Sequence, residues 1–198
     1  MLKDPVFLVF GFASFLASMG LFSYMSDSPF VFMSLYGFSE QQFGLVFSLS
    51  ACRVIGASQL NRFWLRAKTS RQISMFSVVA QAVVAVLLVA GALAGVSATT
   101  TLIVMICYLA GMGFLSPNTT ALAIELFTVN AGTASALLGS MQMTAGALGS
   151  ALSSWFHNGT AVPMTVLLML STLVSLGLQV GYARVRKGGT AGSYEMLE

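Results

Sequence analysis

Apolar residues run through this chain in blocks of about 20, separated by short polar stretches, and that pattern predicts its elements. Six blocks cover roughly residues 6–26, 42–60, 73–94, 101–124, 133–155 and 161–183. Each is near the ~20 residues that a helix rising 1.5 Å per residue needs to cross about 30 Å of hydrocarbon. The period-two alternation of barrel strands is missing, and backbone groups in lipid must pair within their own segment, so the blocks predict helices. The first block does not read as a secretory signal: it is long, Asp4 offsets Lys3, and SYMSDSP offers no small-residue cleavage site. The expected fold is an all-α integral membrane bundle of six transmembrane helices over residues 1–187, followed by a flexible cytoplasmic tail, 188–198.

Composition agrees. Of 198 residues, 57% are hydrophobic and 8% charged, too few charges to cover a water-facing surface. The basic residues fall in three places: Lys3, then Arg62, Arg66, Lys68 and Arg71 in NRFWLRAKTSRQ, then Arg184, Arg186 and Lys187. With six spans these segments share one side of the membrane, while the loops around 27–41, 95–100 and 156–160 hold no lysine or arginine. The positive-inside rule then places both termini in the cytoplasm, and the net charge of +3 reads as a topology signal rather than a nucleic-acid surface. Cys52 and Cys107 lie inside apolar blocks, where a thiol acts as a small hydrophobe; no disulfide and no metal site is implied. The sequence has no G-x-x-x-x-G-K-[ST], no H-E-x-x-H and no G-x-S-x-G, and its one histidine cannot supply a histidine cluster. An enzyme and a bound cofactor are therefore not expected, and transport would draw on an ion gradient rather than ATP. A channel finds no ring of charges or filter-like repeat.

The blocks differ among themselves. The third (VVAQAVVAVLLVAGALAG) and sixth are almost uniformly apolar, which suits the outside of a bundle. The fourth carries GMGFLSPNTT, where Pro117 removes a backbone donor among Gly111, Gly113, Asn118, Thr119 and Thr120; this predicts an interrupted helix, buried or lining a cavity. The fifth repeats small residues four apart, Gly132, Ala136, Ser140 and Ala145, Gly149, Ser153, a pattern that lets helix backbones approach closely.

Ionisable residues in or beside the spans are functional candidates because they are costly there. Asp27, just before SPF, is the proton-coupling candidate; equally, Asp27 or Ser28 can cap a short helix begun by Pro29. Arg53 is an intramembrane charge, placed to reach the cytoplasmic interface by snorkelling or to pair with a carbonyl or a substrate anion. Glu125 reads as an interfacial carboxylate and His157 as a solvated loop histidine. Tyr24, Asn118, Thr119, Met141 and Gln142, with Met143, combine hydrogen-bonding tips with adaptable apolar surface, and are the candidates for binding varied amphipathic compounds. The same residues also suit ordinary interhelical packing.

The segments SPFVFMSLYGFSEQQFGLVFSL, GASQLNRFWLRAKTSR and SPNTTALAIELFTVNAGTASALLGSMQMTAGALGS resemble the C-terminal half of bicyclomycin-resistance-type (Bcr/CflA) drug efflux transporters of the major facilitator superfamily. The resemblance implies the seventh to twelfth helices of a proton antiporter in a bacterial inner membrane. Its partners would be small-molecule drugs, protons and a second six-helix half, with no nucleic acid. It implies that the first and fourth helices line a central cavity, that the third and sixth face lipid, and that Gly56, Asn61 and Arg62 latch helices on the cytoplasmic side. The chain departs from that pattern in three ways: the N-terminal half is absent, the loop motif lacks its acidic residue, and Arg53 is unusual at its position. Three readings stay open: a fragment or the product of a disrupted gene, half of a homodimeric or split transporter, or a transport-incompetent accessory scaffold.

Overall fold

In the computed structural model, residues 4–127 and 129–194 are described, with side chains described as far as Arg186. The elements are α1 (Pro5–Pro29), continued by a π-helical segment (Phe30–Leu35), then α2 (Glu40–Trp64), α3 (Ser70–Ala94), α4 (Ala98–Ile124), α5 (Ala131–Trp155) and α6 (Val162–Tyr194). No strand occurs among the described residues. All but α5 are long and apolar enough to cross a membrane; in α5, serine, threonine and glycine dilute the apolar content. The predicted tail at 188–198 falls partly on α6, and its last four residues lie outside the described ones.

Side-chain caps begin four of the helices. The Asp4 carboxylate accepts from the backbone N–H groups of Val6 and Phe7, satisfying donors that the first turn leaves open, with Pro5 in the first helical position. Ser39 with Gln42 and Thr69 with Gln72 form capping boxes at α2 and α3, and Ser97 caps α4. Gly95, at φ 63°, closes α3 in a left-handed conformation that favours glycine.

At the centre α1 and α4 pack against each other. α5 and α6 pack on α1, α2 and α3 pack on α4, and α3 and α6 meet behind the pair. Exchanging α1–α2–α3 for α4–α5–α6 reproduces this arrangement. Because successive spans alternate in direction, the two triplets form an inverted repeat.

Burial runs inside out. On α3, Ser74, Ser77 and Gln81 face inward while Phe76, Val79, Val83 and Leu87 are exposed. On α6, Thr165, Ser171, Thr172, Ser175 and Gln179 are buried while Leu170 and Val174 are exposed. Ser74 donates to Gln179 (2.8 Å), Gln81 donates to the Tyr108 carbonyl (3.1 Å), and the Tyr108 hydroxyl bonds Thr172 (2.8 Å). An apolar exterior over a hydrogen-bonded interior is the arrangement lipid favours, since hydrocarbon outside leaves polar groups to find partners within. The near-uniform apolar reading of these two helices therefore holds for their outer faces only.

Two helices run further than the sequence suggests. The first does not end near residue 26: it passes Pro29 by widening into π-helical turns and reaches Leu35, where the Tyr36 N–H bonds the Val31 carbonyl five residues back (3.1 Å). Its 31 residues rise roughly 45 Å, so the helix is tilted or projects beyond the hydrocarbon. Nor does Pro117 interrupt α4. A proline leaves the carbonyl four residues earlier without its helical donor, and here the Ser58 hydroxyl of α2 reaches Gly113 (3.1 Å), its one hydrogen shared with the Val54 carbonyl of its own helix (3.0 Å).

Candidate functional site: a crevice and a buried carboxylate

Asp27 is the one buried charged residue among those described. It lies within α1 rather than capping a new helix, and its carboxylate accepts a hydrogen bond from Ser153 of α5. No cation pairs with it among the described residues. The small-residue pattern of α5 brings it there. Gly149 lies so close to the Met19 carbonyl of α1 that an added Cβ would collide with backbone, and a Cβ on Gly146 would come within 2.8 Å of the Phe22 ring. Ser23 donates to the Gly149 carbonyl (2.9 Å) along the same seam. Of the two predicted small-residue sets, Ala145, Gly149 and Ser153 are buried, whereas Gly132, Ala136 and Ser140 are exposed. His157, beyond the end of α5, is exposed and meets the Phe30 ring edge-on at 4.3 Å between centroids.

Tyr24 sits one turn below Asp27, 2% exposed, beside an apolar crevice of about 250 Å³ between α1 and α2. Met25, Phe47, Ser50, Val54 and Ile55 line it, and Leu109 of α4 lies behind them. Ser28 and Ser50 flank the tyrosine, yet the Tyr24 and Ser28 hydroxyls complete no hydrogen bond. Ser50 is spent on its own helix, donating to the Val46 carbonyl at 2.8 Å. Of these two, Tyr24 lines the crevice, and its unsatisfied hydroxyl leaves one hydrogen bond to be made there.

The other candidate residues do not join that crevice. Asn118 is buried at the α2–α4 contact, donating to the Asn61 side chain (2.7 Å) and the Phe114 carbonyl (2.7 Å). Asn61 of α2 thereby links two helices; of the other residues for which the resemblance implies a latch, a Cβ added to Gly56 would meet nothing within 4 Å and Arg62 is exposed. Thr119 is buried and bonds back to the Leu115 carbonyl of its own helix (3.1 Å). Gln142 donates to Ser14 (2.6 Å) and Thr120 (3.5 Å), a polar node joining α5, α1 and α4. Met141 packs in an apolar cluster with Phe7, Phe10 and Leu138. Arg53 is exposed on α2 and lines no part of the crevice, and Glu125 is exposed just past α4.

Sequence reading missed Ser50, and named Ser28 only as a capping candidate. Isolated serines in apolar blocks carry no signal until a neighbouring helix supplies their surroundings. Ser153 was visible only as a small residue, although the same position also serves as a donor.

No protein-family model matches the chain. It is 29% identical over 189 residues to YdgK, described as an uncharacterized MFS-type transporter, of Bacillus subtilis (strain 168); the match covers 95% of this chain and 46% of that protein. It is 25% identical over 174 residues to a bicyclomycin resistance protein homolog of Haemophilus influenzae, covering 88% of this chain and 44% of the relative. The chain thus spans less than half the length of these curated relatives.

Proposed function

Since the chain is a relative of major facilitator superfamily transporters of the bicyclomycin-resistance type, matched along less than half of their length, we propose that it acts as one six-helix half of a drug efflux transporter. In this reading a second bundle, from another chain or another copy, closes the pathway, and the two rock about a shared site so that it opens to each side in turn. Small amphipathic compounds bind against α1 and α2, and protons exchanged at Asp27 drive their export. Both termini face the cytoplasm of a bacterial inner membrane, following the distribution of lysine and arginine.

The observation that carries the binding side is the crevice of about 250 Å³ lined by Tyr24, whose buried hydroxyl has no hydrogen-bond partner. A drug with one acceptor and an apolar body satisfies both features at once. For the proton, Asp27 is buried, held by a single serine and free of any cationic partner among the described residues. A carboxylate so placed can be neutralised by a proton without breaking an ion pair, and gaining or losing that proton changes the charge buried between α1 and α5. The exposed apolar residues of α2 and α5, such as Leu45, Leu49, Met143 and Leu148, leave surface for the second bundle.

The test measures binding of a fluorescent amphipathic drug to the purified chain and its Tyr24→Phe variant. The proposal expects the variant to bind on the order of tenfold more weakly, from loss of one buried hydrogen bond. Equal affinity would remove the crevice from the binding site.

A further inference from the structure

Building on the half-transporter reading, we propose that the exposed face of α2 receives a membrane helix from outside these six, and that this helix carries an aspartate or glutamate at mid-membrane depth to pair with Arg53. Arg53 stands near the middle of α2 (Glu40–Trp64), roughly 20 Å from its first residue and 16 Å from its last at 1.5 Å per residue. It is exposed, and it makes no hydrogen bond or ion pair among the described residues. Snorkelling covers only part of the distance to either end. A lone guanidinium at such depth is costly in hydrocarbon, and intramembrane arginines are accordingly paired.

The surroundings of Arg53 suit a packed helix rather than a water-filled cavity or a ligand. Leu45, Leu49, Gly56 and Leu60 recur around it at spacings of three and four residues, so all five share one helical face. The three leucines are exposed, forming an apolar strip that water does not favour. A Cβ added at Gly56 would meet nothing within 4 Å, which leaves another backbone room to approach. Ser50, Ala57 and Asn61 mark the buried face of α2. Even so, only 17% of the apolar core of α2 is covered by the bundle, against 44% in each of the other four membrane-length helices. Arg53 lines no part of the Tyr24 crevice, so a drug bound there is not its partner. Nor does a second copy of the chain offer one among the described residues. Asp4, Glu40 and Glu125 stand at helix ends, and Asp27 is enclosed between α1 and α5 with Ser153. The second bundle is therefore a different one, whose helix against α2 presents a carboxylate where this chain presents a cation.

Cys52, exposed beside Arg53, supplies the readout, and Cys107→Ala makes it the chain's sole thiol. The purified chain is mixed in phosphatidylcholine bilayers with leucine-rich transmembrane peptides that carry a central cysteine beside aspartate, asparagine or leucine, and disulfides are trapped with copper phenanthroline as oxidant. The aspartate peptide should reach half-trapping at a mole fraction about tenfold lower than the leucine peptide, and Arg53→Leu should remove that advantage. An aspartate placed near the end of the peptide should give none. Equal trapping of the aspartate and leucine peptides overturns the proposal, as does an advantage that survives Arg53→Leu or is matched by asparagine. A disulfide between the Cys52 residues of two copies that outcompetes the aspartate peptide would make this face a contact of the chain with itself and overturn it too. None of these results depends on Tyr24 or on transport, so failure of the pairing and failure of drug binding are told apart.

Discussion

Gly149→Ala tests the seam that places Asp27 against α5. A methyl group there meets the Met19 carbonyl well inside contact distance, and because the obstacle is backbone it cannot rotate away. The helices must separate, at an overpacking cost of about 1–3 kcal/mol. Separation also strains the bonds from Ser23 to the Gly149 carbonyl and from Ser153 to Asp27. Interhelical bonds in membranes contribute about 0.6 kcal/mol each on average, so the total loss should be roughly 2–4 kcal/mol. The assay is the unfolding free energy of the purified chain, measured by steric trapping in bilayer discs. Gly146→Ala should cost less, since its obstacle is the Phe22 ring, a side chain that can shift. Gly139→Ala, with nothing within 4 Å, should be neutral or stabilising by up to about 1 kcal/mol. If Gly149→Ala is as mild as Gly139→Ala, the close approach of α1 and α5 is wrong, and with it the surroundings argued for Asp27.

Ser58→Ala should destabilise the parent by up to about 1 kcal/mol, by removing the hydroxyl shared between the Val54 carbonyl and the Gly113 carbonyl that Pro117 leaves open. In a Pro117→Ala background the cost should fall, and a double-mutant cycle with no coupling would refute that pairing. Asn118→Ala should lower stability by about 1–2 kcal/mol through loss of the Asn61 link, with Asn61→Ala non-additive to it; additive losses would argue against a direct bond. Tyr24→Phe should leave the unliganded chain as stable as the parent, because its hydroxyl has no partner to lose; a loss above about 1 kcal/mol would reveal one. In an assembly that transports, Asp27→Asn should keep drug binding and flatten the dependence of efflux on the pH gradient, whereas an unchanged pH profile would remove Asp27 from coupling.

Five of the six helices were legible because lipid imposes one requirement on every span and apolar length reports it directly, whereas α5, diluted by serine, threonine and glycine, falls short of that signal. Proline was the weaker guide. Pro29 suggested a boundary and Pro117 an interruption, but a widened π-helical turn absorbs the first and Ser58 of a neighbouring helix compensates the second. The first is local but unmarked by residue type, and the second comes from a residue 55 positions away from the carbonyl it reaches. The binding candidates divided in the same manner. Tyr24 could be picked out as a polar tip in an apolar block, and it faces a crevice. Asn118, Thr119 and Gln142 carry the same signature, yet in the fold they bond Asn61, their own helix, and Ser14 with Thr120. Which partner a polar side chain meets depends on helix rotation, and uniform apolar surroundings leave rotation almost unmarked in a single sequence. Asp27 was found by its charge alone, while its hydrogen-bond partner on α5 required the glycine seam to be seen in three dimensions.

The most direct measurement of the half-transporter account is drug efflux from proteoliposomes under an imposed pH gradient. The chain would be reconstituted alone and together with the N-terminal half of a relative expressed as a separate polypeptide. The account predicts gradient-driven efflux with the partner and none without it at one chain per vesicle. Drug accumulation that ignores the gradient in both arrangements would contradict it.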